Sequence, residues 1–197
     1  MNNVFLDLGT HFGQGLRDFI SRFNMDNAWT IHTFEANPVT YGIFKSEYHK
    51  HTPWVVSHNT AVSDHNGTIT VNLESFDNGD KTGQGTSVIN MEQWDPWRDG
   101  TTPDHFIHKA EVECIDLSDF ILNNFSKNDN IIIKMDIEGS EYDTLERMIE
   151  TGAIEYINVL VVEWHSRYFT NKEFILEREH IISEKIKSHN ILLESWV

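Results

Sequence analysis

The sequence predicts an α/β fold, a doubly wound, mostly parallel sheet flanked by helices. Three observations carry that expectation. Short apolar, β-branched runs such as Ile131 to Ile133 and Tyr156 to Val162 have the composition of strands buried on both faces. Segments with apolar residues at helical spacing alternate with these runs, as parallel strands with right-handed crossovers require. Lys134, Asp136, Glu138 and Glu141 crowd together where one run ends, turns at Gly139 and enters a helix. The carboxyl edge of such a sheet is where ligands bind.

Val4 to Leu8 reads as the first strand. The glycine-rich turn Gly9-Thr-His-Phe-Gly13-Gln-Gly15 follows, and Leu16, Phe19, Ile20 and Phe23 then share one face of a helix. Trp29 to Phe34 is the second strand and ends on Glu35; Pro38 lies just inside a helix running to about His49. Trp54 to Ser57 is the third strand. Thr68 to Leu73 alternates like a half-exposed strand after the Asn66-Gly67 turn. Residues 75–104 have no period and carry Trp94 and Trp97, so they form either a lid or acceptor-binding wall, or a surface insertion.

Ile107 to Ile115 restores strand character, and Leu117 to Phe125 reads as a helix with Asp116 near its N-cap. The strand at Ile131 to Ile133 leads to a helix with apolar residues at 142, 145, 148 and 149. Tyr156 to Val162 ends on Glu163-Trp-His165. Phe174 to Ile186 is an amphipathic helix, and Ile191 to Val197 a last strand at the sheet edge. With no repeat or linker, residues 1–197 read as one domain with an irregular insertion.

The formal charge of −16 argues against nucleic acid or an anionic membrane as partner. Cys114 is the only cysteine, which rules out an internal disulfide and fits a reducing compartment. No apolar run approaches the roughly 20 residues of a membrane span, and the N-terminus lacks the features of a signal peptide. These traits make a cytoplasmic location the default, and the edge strand leaves monomer and homodimer both open.

The first strand-turn-helix reads Asp7-x-Gly9-x-x-x-Gly13, and the second strand ends on an acid, Glu35. Glycines let the backbone approach a ligand, and a carboxylate placed like Glu35 suits the hydroxyls of a ribose. The spacing does not match the dinucleotide fingerprint G-x-G-x-x-G, and no phosphate loop is present. A nucleoside cofactor without pyrophosphate, carrying an amino-acid tail, fits better: S-adenosylmethionine.

The chain resembles the FkbM family of S-adenosylmethionine-dependent methyltransferases, within the class I Rossmann-like fold. The matching pieces are Leu6-Asp-Leu-Gly-Thr-His-Phe-Gly13, Thr33-Phe-Glu-Ala-Asn-Pro38, Asn59-Thr-Ala-Val-Ser63 and Gly85-Thr-Ser87. Cys114-Ile-Asp-Leu117, Ile133-Lys-Met-Asp-Ile-Glu-Gly-Ser-Glu141 and Val162-Glu-Trp-His165 follow in the family's order. The resemblance implies cofactor contacts from Asp7, Gly9, Gly13, Glu35 and the backbone near Asn37 and Ala61. The family commonly has Ala-Asn where this chain has Thr10-His11, which would give His11 the cofactor contact that an asparagine usually makes. The chain starts at its first strand, without the leading helices of many relatives, as either a module of a larger protein or a compact version.

By the same resemblance, Lys134, Asp136, Glu138 and His165 face the reacting centre. Methyl transfer from a sulfonium is an in-line displacement in which positioning does most of the work. His165 or Asp136 would serve as general base, with Glu138 orienting the acceptor and Lys134 holding the acid. Structural readings stand beside these: a Lys134–Glu141 ion pair, a His165 bonded to a backbone carbonyl, and Asp116 as a cap. No metal is expected, Asp136, Glu138 and His165 being the set whose chemistry suits magnesium or manganese. The histidines show no zinc spacing, and His49 and His51 read as surface residues.

The resemblance points to O-methylation, with a sugar hydroxyl as acceptor and Trp94, Trp97 and Trp164 able to stack on its ring. A non-sugar metabolite, a nicotinamide-dependent oxidoreductase and a silent nucleoside-binding module are the competing readings.

Overall fold

The computed structural model describes residues 1–48, 50, 52–73, 86–89, 93 and 108–196. Its strands are β1 (Asn3–Leu8), β2 (Trp29–Phe34), β3 (Val55–His58), β4 (Ala61–Ser63) and β5 (Gly67–Leu73). They continue as β6 (His108–Asp116), β7 (Asn130–Met135), β8 (Ile157–Val162) and β9 (Leu192–Ser195). The helices are α1 (Gln14–Arg22), α2 (Pro38–Ile43), α3 (Leu117–Asn124), α4 (Glu141–Thr151) and α5 (Lys172–Ser188).

A six-stranded sheet in the order β3-β2-β1-β7-β8-β9 is parallel throughout. Its central strands are apolar at nearly every position because both faces are covered. Val4, Leu6 and Leu8 of β1, with Ile131, Ile133 and Met135 of β7, face the packed side chains of α3, α4 and α5. Phe5 and Ile132, at the alternate positions, face Leu16 and Phe19 of α1 and Phe44. Phe5 and Phe19 stack at 5.2 Å, and full burial of a side chain such as Phe19 is worth about 1.5–3 kcal/mol.

The expectation of one doubly wound sheet is corrected in part. β4, β6 and β5 form a second, three-stranded sheet, β4 parallel and β5 antiparallel to β6. Large parts of β5 and β6 are exposed, and a strand wet on one side cannot sit inside a sheet covered on both. β4 escaped the sequence reading because it is three residues long. The helix at Pro38 also divides: α2 ends at Ile43, and Phe44–Tyr48 continues as a π-helical turn just after Gly42. Trp94, Trp97, His49, His51 and nearly all of the 75–104 insertion lie outside the described residues.

Several elements stand as expected. β9 is an edge strand, and Asp116 caps α3, its carboxylate accepting from the N–H groups of Ser118 and Asp119. Among the described residues no helix is long and apolar enough to cross a membrane.

Candidate active site

Because β1, β2, β7 and β8 run parallel, the residues that follow them collect at one edge. The ends of β1 and β7 meet backbone to backbone. Asp136 N donates to Leu8 O at 3.0 Å, and Gly9 N and Thr10 N both donate to Phe34 O at 3.0 Å. Gly9 has φ +78°, and a Cβ there would stand 1.7 Å from Asp136 O, so the contact admits only glycine. Gly13, at φ +83°, turns the chain into α1.

Glu35 bridges two loops at the end of β2. One carboxylate oxygen accepts from His11 N and the other from Asn37 N, each at 2.8 Å. Burial raises the Glu35 pKa, and these two N–H groups oppose it. His11 reaches this position in a left-handed conformation, φ +52°, with Nδ1 3.2 Å from Gln14 Oε1. Asn37 caps α2 through Oδ1 and donates from Nδ2 to Thr86 Oγ1 at 3.0 Å. Asn59 Nδ2 donates to Glu35 O at 2.8 Å, and Ala61 lies buried two residues further on, at the start of β4.

Lys134 joins the cofactor-side residues to the rest. β1 and β7 pair with Asp7 opposite Lys134, on the face of Phe5 and Ile132. The ammonium donates to Gly9 O at 2.6 Å and lies 3.1 Å from Asp136 Oδ2 and 3.6 Å from Asp7 Oδ1. Burial alone would lower the Lys134 pKa, but Asp136 and Asp7 carry it above the ordinary lysine value. The Lys134–Glu141 pair considered from the sequence does not form; Glu141 turns to His165 instead.

His165, 1% exposed, sits at the centre of the acidic group. Its Nδ1 lies 2.8 Å from Glu141 Oε1. Glu141 is itself fixed by backbone donors, Ile137 N at 3.0 Å and Gly139 N at 3.1 Å. On the other side, Nε2 faces Glu138 Oε2 at 3.3 Å, Glu163 Oε1 at 3.7 Å and Asp136 Oδ1 at 3.8 Å. Burial pushes the Glu138 carboxyl up, His165 opposes, and Asp136, Glu141 and Glu163 add to the rise, leaving it at about 8. Burial would lower His165, but Glu141, Glu138 and Asp136 raise it to about 10.

Glu138 has φ +51°. Its carbonyl accepts from Ser87 Oγ at 2.6 Å, and Ser87 Oγ accepts from Ile89 N at 3.0 Å. Lys134, Asp136, Glu138 and His165 therefore form one cluster. Gly9, His11, Gly13, Glu35 and Asn37 lie in the adjoining loops, Asp7 is buried within β1 against Lys134, and Ala61 stands further off in the second sheet. Sequence reasoning missed the orienting position of Glu141 and the hold of Ser87 on Glu138. The sequence signal for Ser87 was its place in Gly85-Thr-Ser87; no local pattern points from Glu141 to His165. Trp164 packs against Tyr142, ring centroids 5.6 Å apart, at the margin of the core.

The chain matches the methyltransferase FkbM domain over residues 7–188. Among curated proteins, none matches it. Its fold is similar to the crystal structure of methyltransferase FkbM from Methylobacillus flagellatus KT, with a TM-score of 0.54 and 14% sequence identity. That similarity covers 92% of this chain and 37% of the other, so this chain spans well under half of that relative's length. With nearly its whole length inside the matched region, the chain belongs to the methyltransferase FkbM domain family.

Proposed function

We propose that the chain is an S-adenosylmethionine-dependent O-methyltransferase whose acceptor is a hydroxyl of a sugar or glycan. In this reading it acts in the cytoplasm as a single domain. The observation that carries the reading is the edge where Glu35, fixed by two backbone N–H groups, is linked through Gly9 and Lys134 to the cluster around His165. The donor set fits the cofactor. Each Glu35 oxygen keeps a second lone pair for a ribose hydroxyl, and Gly9 and Gly13 present bare backbone beside the N-terminus of α1.

When bound, S-adenosylmethionine supplies a methyl group that bonds to the acceptor oxygen as its bond to sulfur breaks, the electron pair staying on sulfur. Asp136 takes up the hydroxyl proton. It is 22% exposed in the side chain against 1% for His165, so an acceptor reaches Asp136 first. Lys134 holds one Asp136 oxygen and leaves the other towards the cluster. Glu138, about as exposed as Asp136, orients the hydroxyl. Sugar hydroxyls are frequent acceptors in the family the chain resembles, and they offer this acidic edge neutral hydrogen-bond donors.

Calorimetric titration with S-adenosylhomocysteine tests the cofactor. The wild type should bind, and Glu35→Ala should bind at least tenfold more weakly, since it loses two charge-assisted hydrogen bonds of roughly 1 kcal/mol or more each. Absence of binding to the wild type would remove the reading. Methyl transfer from labelled S-adenosylmethionine to sugars tests the chemistry. Asp136→Ala should abolish turnover with product binding retained, and near-normal turnover would exclude Asp136 as the base.

A further inference from the structure

Among the described residues, buried His165 Nε2 has no hydrogen-bond partner, although three carboxylates face it. Glu138 Oε2 is only 3.3 Å away, yet the two atoms are not aligned as donor and acceptor. A purely structural ion pair has every reason to align there, because an unsatisfied buried polar atom costs roughly 1–3 kcal/mol. The opposite nitrogen is fully engaged. Nδ1 is held by Glu141, which is anchored by the loop N–H groups, so Nδ1 keeps its proton and Nε2 is the nitrogen that a cation, displacing the proton the carboxylates otherwise favour there, would meet. A carboxylate fixing one imidazole nitrogen while the other meets a metal is a recurrent arrangement of metal-binding histidines.

We propose that Asp136, Glu138 and Nε2 of His165 bind one divalent cation of the magnesium–manganese class, with Glu141 orienting the ring. Ligand atoms at about 2.1–2.2 Å from a shared ion, set 90–120° apart, stand about 3.0–3.8 Å from one another. The Nε2 separations of 3.3 Å to Glu138 and 3.8 Å to Asp136 fall inside that window. One oxygen of each carboxylate and the ring nitrogen all lie within 4.8 Å of one another. A single imidazole among carboxylates is an oxygen-rich set, which suits manganese or magnesium better than a closed zinc site. Glu163, 3.7 Å from Nε2, borders the site but is shared with Arg167. The site stands independently of the methyltransferase reading; only its role rests on that reading. There the cation would acidify a bound hydroxyl, whose proton would pass to solvent, and Asp136 would act as ligand in place of base.

Manganese binding followed by electron paramagnetic resonance tests the proposal on the whole chain. The wild type should bind one ion per chain, displaceable by magnesium, and pulsed spectra should show modulation from a directly bound imidazole nitrogen. Glu138→Gln, nearly isosteric and on a partly exposed turn, should weaken binding about tenfold or more, with unchanged circular dichroism as the folding control. Binding without nitrogen modulation, or unaltered in Glu138→Gln, would mean an adventitious ion on an acidic surface and overturn the site. No binding to the wild type would overturn it outright. A parallel titration with S-adenosylhomocysteine separates the two claims: manganese bound through nitrogen without cofactor binding sinks only the methyltransferase reading, and the reverse sinks only the metal.

Discussion

Among the described residues, Lys134 is the only cation within ion-pair reach of Asp7, and replacing it with methionine would take it away. Asp7 is fully buried, and among the described residues neither of its carboxylate oxygens has a well-aligned hydrogen-bond partner. Removing one member of a buried pair costs about 3–5 kcal/mol, because the other charge is left without compensation. The bond from Nζ to Gly9 O is lost as well. Burial already raises the Asp7 pKa, with Lys134 the largest opposing influence, so without the lysine the carboxyl takes up a proton in the folded state. The folded chain then binds more protons than the unfolded one above the unfolded value near 3.9, and stability falls as pH rises. Each pH unit in that window costs about 1.4 kcal/mol. Wild type, with Asp7 already raised, shares the lower part of this window, so the Lys134→Met deficit in urea unfolding should grow as pH rises through the wild-type Asp7 value. The double variant Lys134→Met/Asp7→Leu should recover most of the loss, since exchanging both partners for apolar groups is close to neutral. A single-variant deficit below about 1 kcal/mol at pH 7, or one independent of pH, would refute this account of the pair.

Gly9→Ala should lose more than about 3 kcal/mol in urea unfolding: φ +78° is strained for a side chain, and the Cβ meets Asp136 O. Wild-type stability in that variant would show that the two strand ends can part cheaply. Asp116→Ala should cost about 1–2 kcal/mol and speed hydrogen exchange at the Ser118 and Asp119 amides, which its carboxylate now accepts; unchanged exchange there would argue against the cap. Burial and His58, whose Nε2 is 3.0 Å from His32 Nδ1, lower the His32 pKa to about 4. Between pH 6.5 and about 4 the unfolded chain holds a proton that the folded chain does not, so stability falls with acidification through that window. For a partly exposed ring the loss is about 1–2 kcal/mol after screening. His32→Phe should flatten this part of the profile, and an unchanged profile would mean that His32 does not set it.

The parallel strands and their helices were legible because burial on both faces writes an almost unbroken apolar run, as in Ile131 to Ile133. Glu35 and the carboxylates after Met135 were legible because strand ends place them at one edge. Contacts across strand order were not. Glu141 and His165 meet only because β8 lies beside β7, a neighbour relation no local pattern records. The Lys134–Glu141 pair looked plausible by proximity in sequence, yet alternation excludes it: Lys134 lies on the face of Ile132, whereas α4 packs on the face of Ile131 and Ile133. The second sheet was hidden for a related reason. β5 and β6 were recognisable singly, but half-exposed strands do not announce which sheet they join.

The pairing of Asp7 with Lys134 also bears on how the chain finds its fold. β1 and β7 are apolar enough to slide past each other, and side-chain burial alone discriminates poorly among offsets of two such runs. Moving β7 by one residue would set Asp7 against Ile133 or Met135 and leave two lone charges inside the sheet. The pair thus acts as a register pin, adding little to the depth of the native well while raising its competitors. The apolar double variant would then be stable but less singular. Its refolding should split into several kinetic phases where the wild type shows fewer, and a single phase in both would leave register to the loops and helices alone.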